Sequence, residues 1–459
     1  MDDSLKRSAL LAATLGSFLT PFMGSAINVA LPSIGKEFAM DAILLSWVAT
    51  AYLLAAAVFL VPFGKIADIH GRKRVFGYGV LVYSIASLLC AFAPAPAVLI
   101  LFRALQGVGG AMIFGTGVAI LTQVFPPGER GRVLGINVAA VYVGLSVGPF
   151  VGGLLTQHLG WRSIFHVNTA LGAIVVAVVA LKLRSDWAEA RDERFDLVGA
   201  AIYSLALVAT MYGLSLLPSP SGALLLVPGA LGLVAFARWE LATPNPLLNM
   251  SLFRSNRVFA FSNLAALINY SATAAVGFLL SLYLQYVKGL SPQNAGLVLI
   301  SQPVIQAIFS PLAGRLSDRV ESRVVASAGM GLTTLGLALL AWLGQATPFA
   351  FIMATLVILG LGFAFFSSPN TNAVMSAVEK RFYGIASATV ATMRLLGQMF
   401  SMAVAMLLLA LFVGKVQITP ERHAAFLASL RVAFSVFAAL CFVGIFASLA
   451  RGRMHKERL

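Results

Sequence analysis

The chain has 459 residues, of which 59% are hydrophobic and only 11% charged. A soluble domain carries about 25% charged residues, and here apolar stretches recur that are each long enough, at about 20 residues, to cross a hydrocarbon core as a helix. That excludes a soluble multidomain protein and gives an all-α polytopic membrane protein. The net charge of +15 would point to nucleic acid in a soluble protein. In a membrane protein, Lys and Arg gather in cytoplasmic loops instead, and no nucleic-acid partner is expected.

Apolar runs, read against charged or Pro/Gly breaks, give fourteen spans. The first, 9–34, follows Lys6-Arg7 and ends in Asn-Val-Ala-Leu-Pro rather than in a small-residue cleavage site, so it reads as a retained span and not a signal peptide. Ser17, Thr20, Gly24 and Asn28 share one of its faces. The second span, 43–66, runs into GKIADIHGRKR (64–74). After the third, 74–93, the fourth, 96–124, carries Arg103 and Gln106. The fifth, 132–156, carries Asn137 and the run GLSVGPFVGG (144–153). The sixth is 163–183, and two further spans follow at 197–217 and 222–240.

The ninth span, 258–286, has Asn263, Asn269 and Tyr270. The tenth, 291–316, has Gln302, Gln306 and Ser310 and ends in GRLSD (314–318). The eleventh is 323–344, and the twelfth, 347–376, carries Asn370 next to Pro369. The thirteenth, 384–412, holds a stripe of Ser387, Arg394, Gln398 and Ser401, and the fourteenth is 428–450. Cys90 and Cys441 both lie inside apolar runs, so neither a disulfide nor a metal site is implied. No phosphate-binding loop of the G-x-x-x-x-G-K-[ST] type occurs.

An even number of spans puts both termini on one side. With cytoplasmic termini that side has 24 Lys and Arg, the opposite side six, and two (Arg103 and Arg394) fall inside spans. This imbalance follows the positive-inside rule. The glycines that open the two related loop sequences, Gly64 and Gly314, are 250 residues apart. Removing the two central spans leaves repeats of six, one of the known transporter plans. The expected division is 1–190, an N-terminal six-helix bundle; 191–256, two inserted helices with linkers; and 257–459, a C-terminal six-helix bundle.

These residues resemble the major facilitator superfamily. GKIADIHGRKR is similar to its loop motif between the second and third helices. FRALQGVGGA (102–111) resembles its fourth-helix arginine motif, and GLSVGPFVGG its fifth-helix G-x-x-x-G-P-x-x-G-G motif, associated with exporters. INVALPSI (27–34), WRSIFHVN (161–168) and the fourteen-span plan narrow the resemblance to the fourteen-spanner drug:proton antiporter branch. The resemblance implies the major facilitator fold and no enzymatic activity. It implies secondary export of an amphiphilic small molecule by rocker-switch alternating access, with protons as the coupling ion. A monomer in the cytoplasmic membrane of a prokaryotic cell, surrounded by lipid and without a cofactor, is the expected form.

Three groups of residues carry that expectation. Asn28, Arg103, Gln106, Asn137, Asn263, Asn269, Tyr270, Gln302, Gln306, Asn370, Arg394 and Gln398 are candidates for a substrate cavity, although amide side chains also serve as glue between helices. For each buried arginine, substrate binding, proton relay and an interhelical clamp remain open, because a charge at that depth costs about 2.5–3.5 kcal/mol and must find a cavity or a partner. Gly64, Asp68, Gly71, Arg72 and Lys73, with Gly314, Asp318 and Arg319 as the second copy, are read as a gate, the alternative being solvated loop charge. Gly144, Gly148, Pro149, Gly152 and Gly153 would bend and pack the fifth helix.

One departure matters. No acidic residue falls in the middle of a span, and Met23 stands five residues before Asn28, where the resembling antiporters usually carry an acid. This favours a second version of the function: an anionic or lipid-like substrate, moved without classical intramembrane-carboxylate proton coupling.

Overall fold

In a computed structural model of the chain, residues 3–183, 193–244, 246–248, 250–379 and 383–452 are described. Every regular element among them is helical. In lipid no water is at hand to satisfy backbone N–H and C=O groups, and a helix satisfies them within one segment. Fourteen helical segments are long and apolar enough to cross a membrane. They are Leu5–Glu37, Ala42–His70, Arg72–Ala91, Pro96–Val124, Arg132–Leu159 and Arg162–Lys182, then Leu197–Leu216 and Pro220–Ala242, then Arg257–Val287, Pro292–Ser317, Ser322–Leu340, Phe349–Ser376, Ile385–Phe412 and Pro420–Ala450. They are referred to below as the first to fourteenth spans.

The helices run past the apolar stretches that announce them. The second continues through Lys65 to His70 and stops at Gly71, whose φ of 117° no L side chain adopts comfortably. Side-chain caps fix several starts: Asp41 accepts from the amides of Ile43 and Leu44, Asp196 from that of Gly199, and Asn256 from that of Phe259. The ninth span is not one regular helix. It runs Arg257–Thr273, then Ala275–Leu282, then a π-helical turn Tyr283–Val287, and it is preceded by a short helix, Met250–Ser255, that hydropathy does not announce.

The packing repeats with the sequence. In the first half the first span packs on the fifth, the second on the fourth, and the third on the fourth and sixth. In the second half the ninth packs on the thirteenth, the tenth on the twelfth, and the eleventh on the twelfth and fourteenth. The two six-helix bundles are therefore copies of one plan. The inserted seventh and eighth spans pack on each other, and the seventh lies against the second and thirteenth. There the Tyr203 hydroxyl donates to the Ala57 carbonyl at 2.9 Å. Outward faces present large apolar side chains, among them Leu101, Leu181, Leu205, Leu224 and Trp342, a surface suited to lipid.

Contacts between the bundles concentrate at the end remote from the chain termini. Ser281 of the ninth span donates to the Asn28 carbonyl of the first at 2.6 Å, and Gln285 donates to the Val29 carbonyl at 2.9 Å. The Gln293 amide donates to Gln157 Oε1 at 3.3 Å, and the Gln293 side chain lies 3.2 Å from His158 Nε2. The Ala42 amide donates to the Val416 carbonyl at 3.3 Å. Closer to mid-span, the Tyr142 hydroxyl is 3.3 Å from Ser367 Oγ.

Candidate functional site

The two in-span arginines have different surroundings. Arg103 is 1% exposed. Its Nε donates to the Val48 carbonyl at 2.9 Å, its Nη1 donates to Gln106 Oε1, and its Cζ lies 4.8 Å from the centroid of the Tyr52 ring. Gln106 in turn donates to Ser87 Oγ at 2.6 Å, and Asn168 donates to the same oxygen at 2.9 Å. The fourth span thus holds the second, third and sixth through one polar network. No carboxylate takes part in these bonds; the positive charge is met by a carbonyl dipole, an amide and an aromatic face.

Arg394 lies on the thirteenth span and is partly exposed. Its Cζ is 5.9 Å from the Phe114 ring centroid and 6.0 Å from that of Tyr270. Phe114 belongs to the fourth span and Tyr270 to the ninth. This guanidinium therefore stands between the bundles, with one ring from each. Gln398, one turn further along, is also partly exposed.

The amide candidates divide in the same way. Asn263, Asn269 and Asn370 are buried: Asn263 donates to the Phe259 carbonyl, Asn269 lies 4.0 Å from Cys441 Sγ, and Asn370 donates to the Ser262 carbonyl across from the ninth span. The side-chain oxygens of all three, and that of buried Asn137, have no hydrogen-bond partner among the described residues. Gln306 is buried and Gln302 partly so. The Asn28 amide faces Gly277 of the ninth span, 3.4 Å from where a Cβ would stand. Met23 is 1% exposed and belongs to the apolar core, whereas a Cβ on neighbouring Gly24 would meet nothing within 4 Å.

At the terminal end, Arg72 Nε donates to Asp68 at 2.9 Å and its Nη1 to Gln123 Oε1 at 3.5 Å. The loop motif thereby joins the ends of the second, third and fourth spans across the Gly71 turn. Lys73 is partly exposed and has a further interaction of its own. A Cβ on Gly64 would meet nothing within 4 Å. In the second copy, a Cβ on Gly314 would stand 2.9 Å from Ser368 Oγ, Arg319 is exposed, and the Asp318 side chain lies outside the described residues. Nearby, Arg451 is buried with its Nε and Nη2 bonded to Ser448. Burial pushes its guanidinium down to about 10, which leaves it charged at neutral pH.

The fifth-span glycines face two ways. Added Cβ atoms on Gly144 and Gly152 would come within 2.7 Å of Phe18 and Ala26 of the first span, and one on Gly148 would collide with Ser25. On Gly153 a Cβ would stand 2.5 Å from the Pro292 carbonyl of the other bundle, and Gly296 of that bundle is pressed against the Pro149 carbonyl.

Phe114, Ser281, Gln285, Gln293 and His158, which touch the other bundle, are not among the residues the sequence marks as candidates. Nor is Glu240, 3% exposed in the last turn of the eighth span, where it accepts from the Leu248 amide at 2.7 Å. The fifth-helix motif announces close helix packing but not which of its glycines meets the other bundle, and nothing in the sequence distinguishes Phe114 from other apolar residues of its span.

The sequence profile of the Major Facilitator Superfamily matches residues 13–267 and 262–458. The chain is 30% identical over 439 residues to the riboflavin transporter RibZ of Clostridioides difficile (strain 630), covering 95% of each chain. It is 33% identical over 401 residues to the multidrug resistance protein Stp of Mycobacterium tuberculosis (strain CDC 1551 / Oshkosh), over 86% of this chain and 74% of that one. Among solved structures, a bacterial homolog of the human lysosomal transporter Spinster, in an inward-facing and occupied conformation, matches with a TM-score of 0.68 at 18% identity, over 100% of this chain and 99% of the other.

Proposed function

The chain belongs to the Major Facilitator Superfamily, and from that premise we propose that it is a secondary exporter. It carries an amphiphilic small molecule across the cytoplasmic membrane of a bacterium by alternating access between its two bundles. The observation that carries the reading is the one-sided seal. Ser281, Gln285 and Gln293 pin the second bundle to Asn28, Val29 and Gln157 of the first at the end remote from the termini. With 24 basic residues on the terminal side and six on the other, the pinned end is the external one, and the conformation is inward-facing. Rocking would break this seal and close the terminal end, where Asp68, Arg72 and their second copy near Asp318 act as the gate.

By their names, one relative confers multidrug resistance and another transports riboflavin; both cargoes suit an amphiphile. Proton antiport is the family default for the driving force. Met23 is buried in apolar core, so a coupling proton has no carboxylate at that place and is carried by rim groups such as Glu37, Asp41 and Asp68. The test is transport by proteoliposomes containing the purified protein under an imposed pH gradient, with riboflavin and a series of charged aromatic dyes as cargo. Cargo movement that collapses with a protonophore supports coupled transport. Movement indifferent to the protonophore removes the coupling and leaves the carrier; no movement of any cargo refutes the reading.

A further inference from the structure

Arg394 lacks the compensation that Arg103, the other arginine deep inside a span, has. The ion pairs among the described residues, Lys6–Glu129, Lys65–Glu193, Arg72–Asp68, Arg162–Glu37 and Arg323–Glu321, all lie at span ends or in loops. Arg103 is closed off and has its Val48 and Gln106 acceptors. Arg394 has two aromatic rings near 6 Å, the outer limit at which a cation–π contact counts, and no carboxylate partner among the described residues. It is partly exposed, and its N–H groups donate to no acceptor among the described residues.

Such a guanidinium, in a low-dielectric wall, attracts an oxyanion and repels a cation. Its planar set of donors matches a carboxylate, sulfonate or phosphate in bidentate fashion. The rings beside it supply the apolar contact for a flat, aromatic cargo body. No acid among the described residues offers the opposite charge there. Met23 is sequestered in the core, and the buried acid Glu240 sits on the inserted helix pair, committed to the Leu248 amide.

We propose that Arg394, Phe114 and Tyr270 form the cargo site, and that the cargo class is an aromatic amphiphile bearing an oxyanion. The inference rests on the transport reading above and deepens it. The oxyanion takes the Arg394 donors while the aromatic body packs on the rings. Because Phe114 and Tyr270 come from different bundles, cargo bound there touches both moving bodies and is carried by their relative motion.

The experiment compares two xanthene dyes of similar shape and opposite charge, fluorescein (anion) and rhodamine 123 (cation), in proteoliposomes. Riboflavin serves as a neutral aromatic reference. Expected for the wild type is fluorescein transport at least tenfold faster than rhodamine 123 at equal concentration. Arg394→Gln should lower fluorescein kcat/KM at least tenfold, mainly through KM, and raise rhodamine 123 transport; Arg394→Lys should restore most of the fluorescein rate. Equal or faster rhodamine 123 transport by the wild type overturns the inference while leaving the transporter reading intact, and needs no variant to fold. Full fluorescein transport by a folded Arg394→Gln protein overturns it too. If none of the three cargoes moves, both the inference and the transport reading fall.

Discussion

Arg103→Gln and Arg394→Gln are expected to fail in different ways. Removing the Arg103 guanidinium leaves the Val48 carbonyl and Gln106 without their donors and opens a void beside Tyr52. A cavity and unpaired buried acceptors together cost about 2–4 kcal/mol, so Arg103→Gln should melt several degrees lower in detergent and be recovered in poor yield. Arg394 bonds to nothing among the described residues that its loss would strand, and Arg394→Gln should keep its stability within about 1 kcal/mol of the parent. Thermal unfolding of the two purified variants checks this; equal destabilisation would mean that Arg394 is a second clamp. The sequence could not separate the two residues. Each is an arginine deep in an apolar run, and the rule that such a charge needs a cavity or a partner applies equally to both. Which one has the partner depends on helix rotation and on the neighbour met, and these come from packing between segments far apart in the chain. The same holds for Asn263, Asn269 and Asn370. Their amides look like cavity polarity along the chain, yet each is buried within its bundle.

At the scale of the helix, the fifth span contains two instructions in the six residues from Gly148 to Gly153. Gly148 and Gly152 let its backbone lie on the first span inside one bundle, while Gly153 lets the other face meet Pro292 of the opposite bundle. The small-residue pattern was legible in the sequence because spacing of four puts glycines on one helix face. The separate task of Gly153 was not, because adjacent residues point about 100° apart and nothing local says what lies in each direction. Two substitutions distinguish the faces. Gly152→Val would place side-chain atoms where Ala26 already stands at 2.7 Å from a Cβ, and overpacking of 1–3 kcal/mol or more (order of magnitude) should reduce folded protein. Gly153→Val should leave the bundle folded and prise the pinned end open. The measurement is alkylation of Ser281→Cys by a membrane-impermeant maleimide, expected to rise several-fold in the Gly153→Val background. Unchanged labelling would mean that the fifth-to-tenth contact does not hold that end shut.

For the molecule as a whole, the fourteen-span plan was readable because hydropathy over about 20 residues reports the one thing lipid demands of each segment. The internal repeat was readable from two short loop sequences, and the packing order recurs in both halves. What hydropathy could not give was the conformation. Span positions are the same whichever end is pinned, and the distinction rests on a handful of polar contacts such as the 3.3 Å bond from the Ala42 amide to the Val416 carbonyl. That bond also supplies a test of whether rocking of the bundles is needed for transport. A backbone N–H···O contact brings two Cα atoms close to the roughly 4.4–6.8 Å that a disulfide accommodates, and Ala42 and Val416 lie on different bundles. Both native cysteines, Cys90 and Cys441, are buried, so oxidation of an Ala42→Cys, Val416→Cys double variant should cross-link only the introduced pair. If transport requires that end to separate, the oxidised protein should carry cargo at background rate, dithiothreitol should restore it, and either single variant should be indifferent to oxidant. A cross-linked protein that transports at the parental rate would show that the Ala42–Val416 contact persists through the cycle, and the moving boundary between the bundles would have to be sought elsewhere.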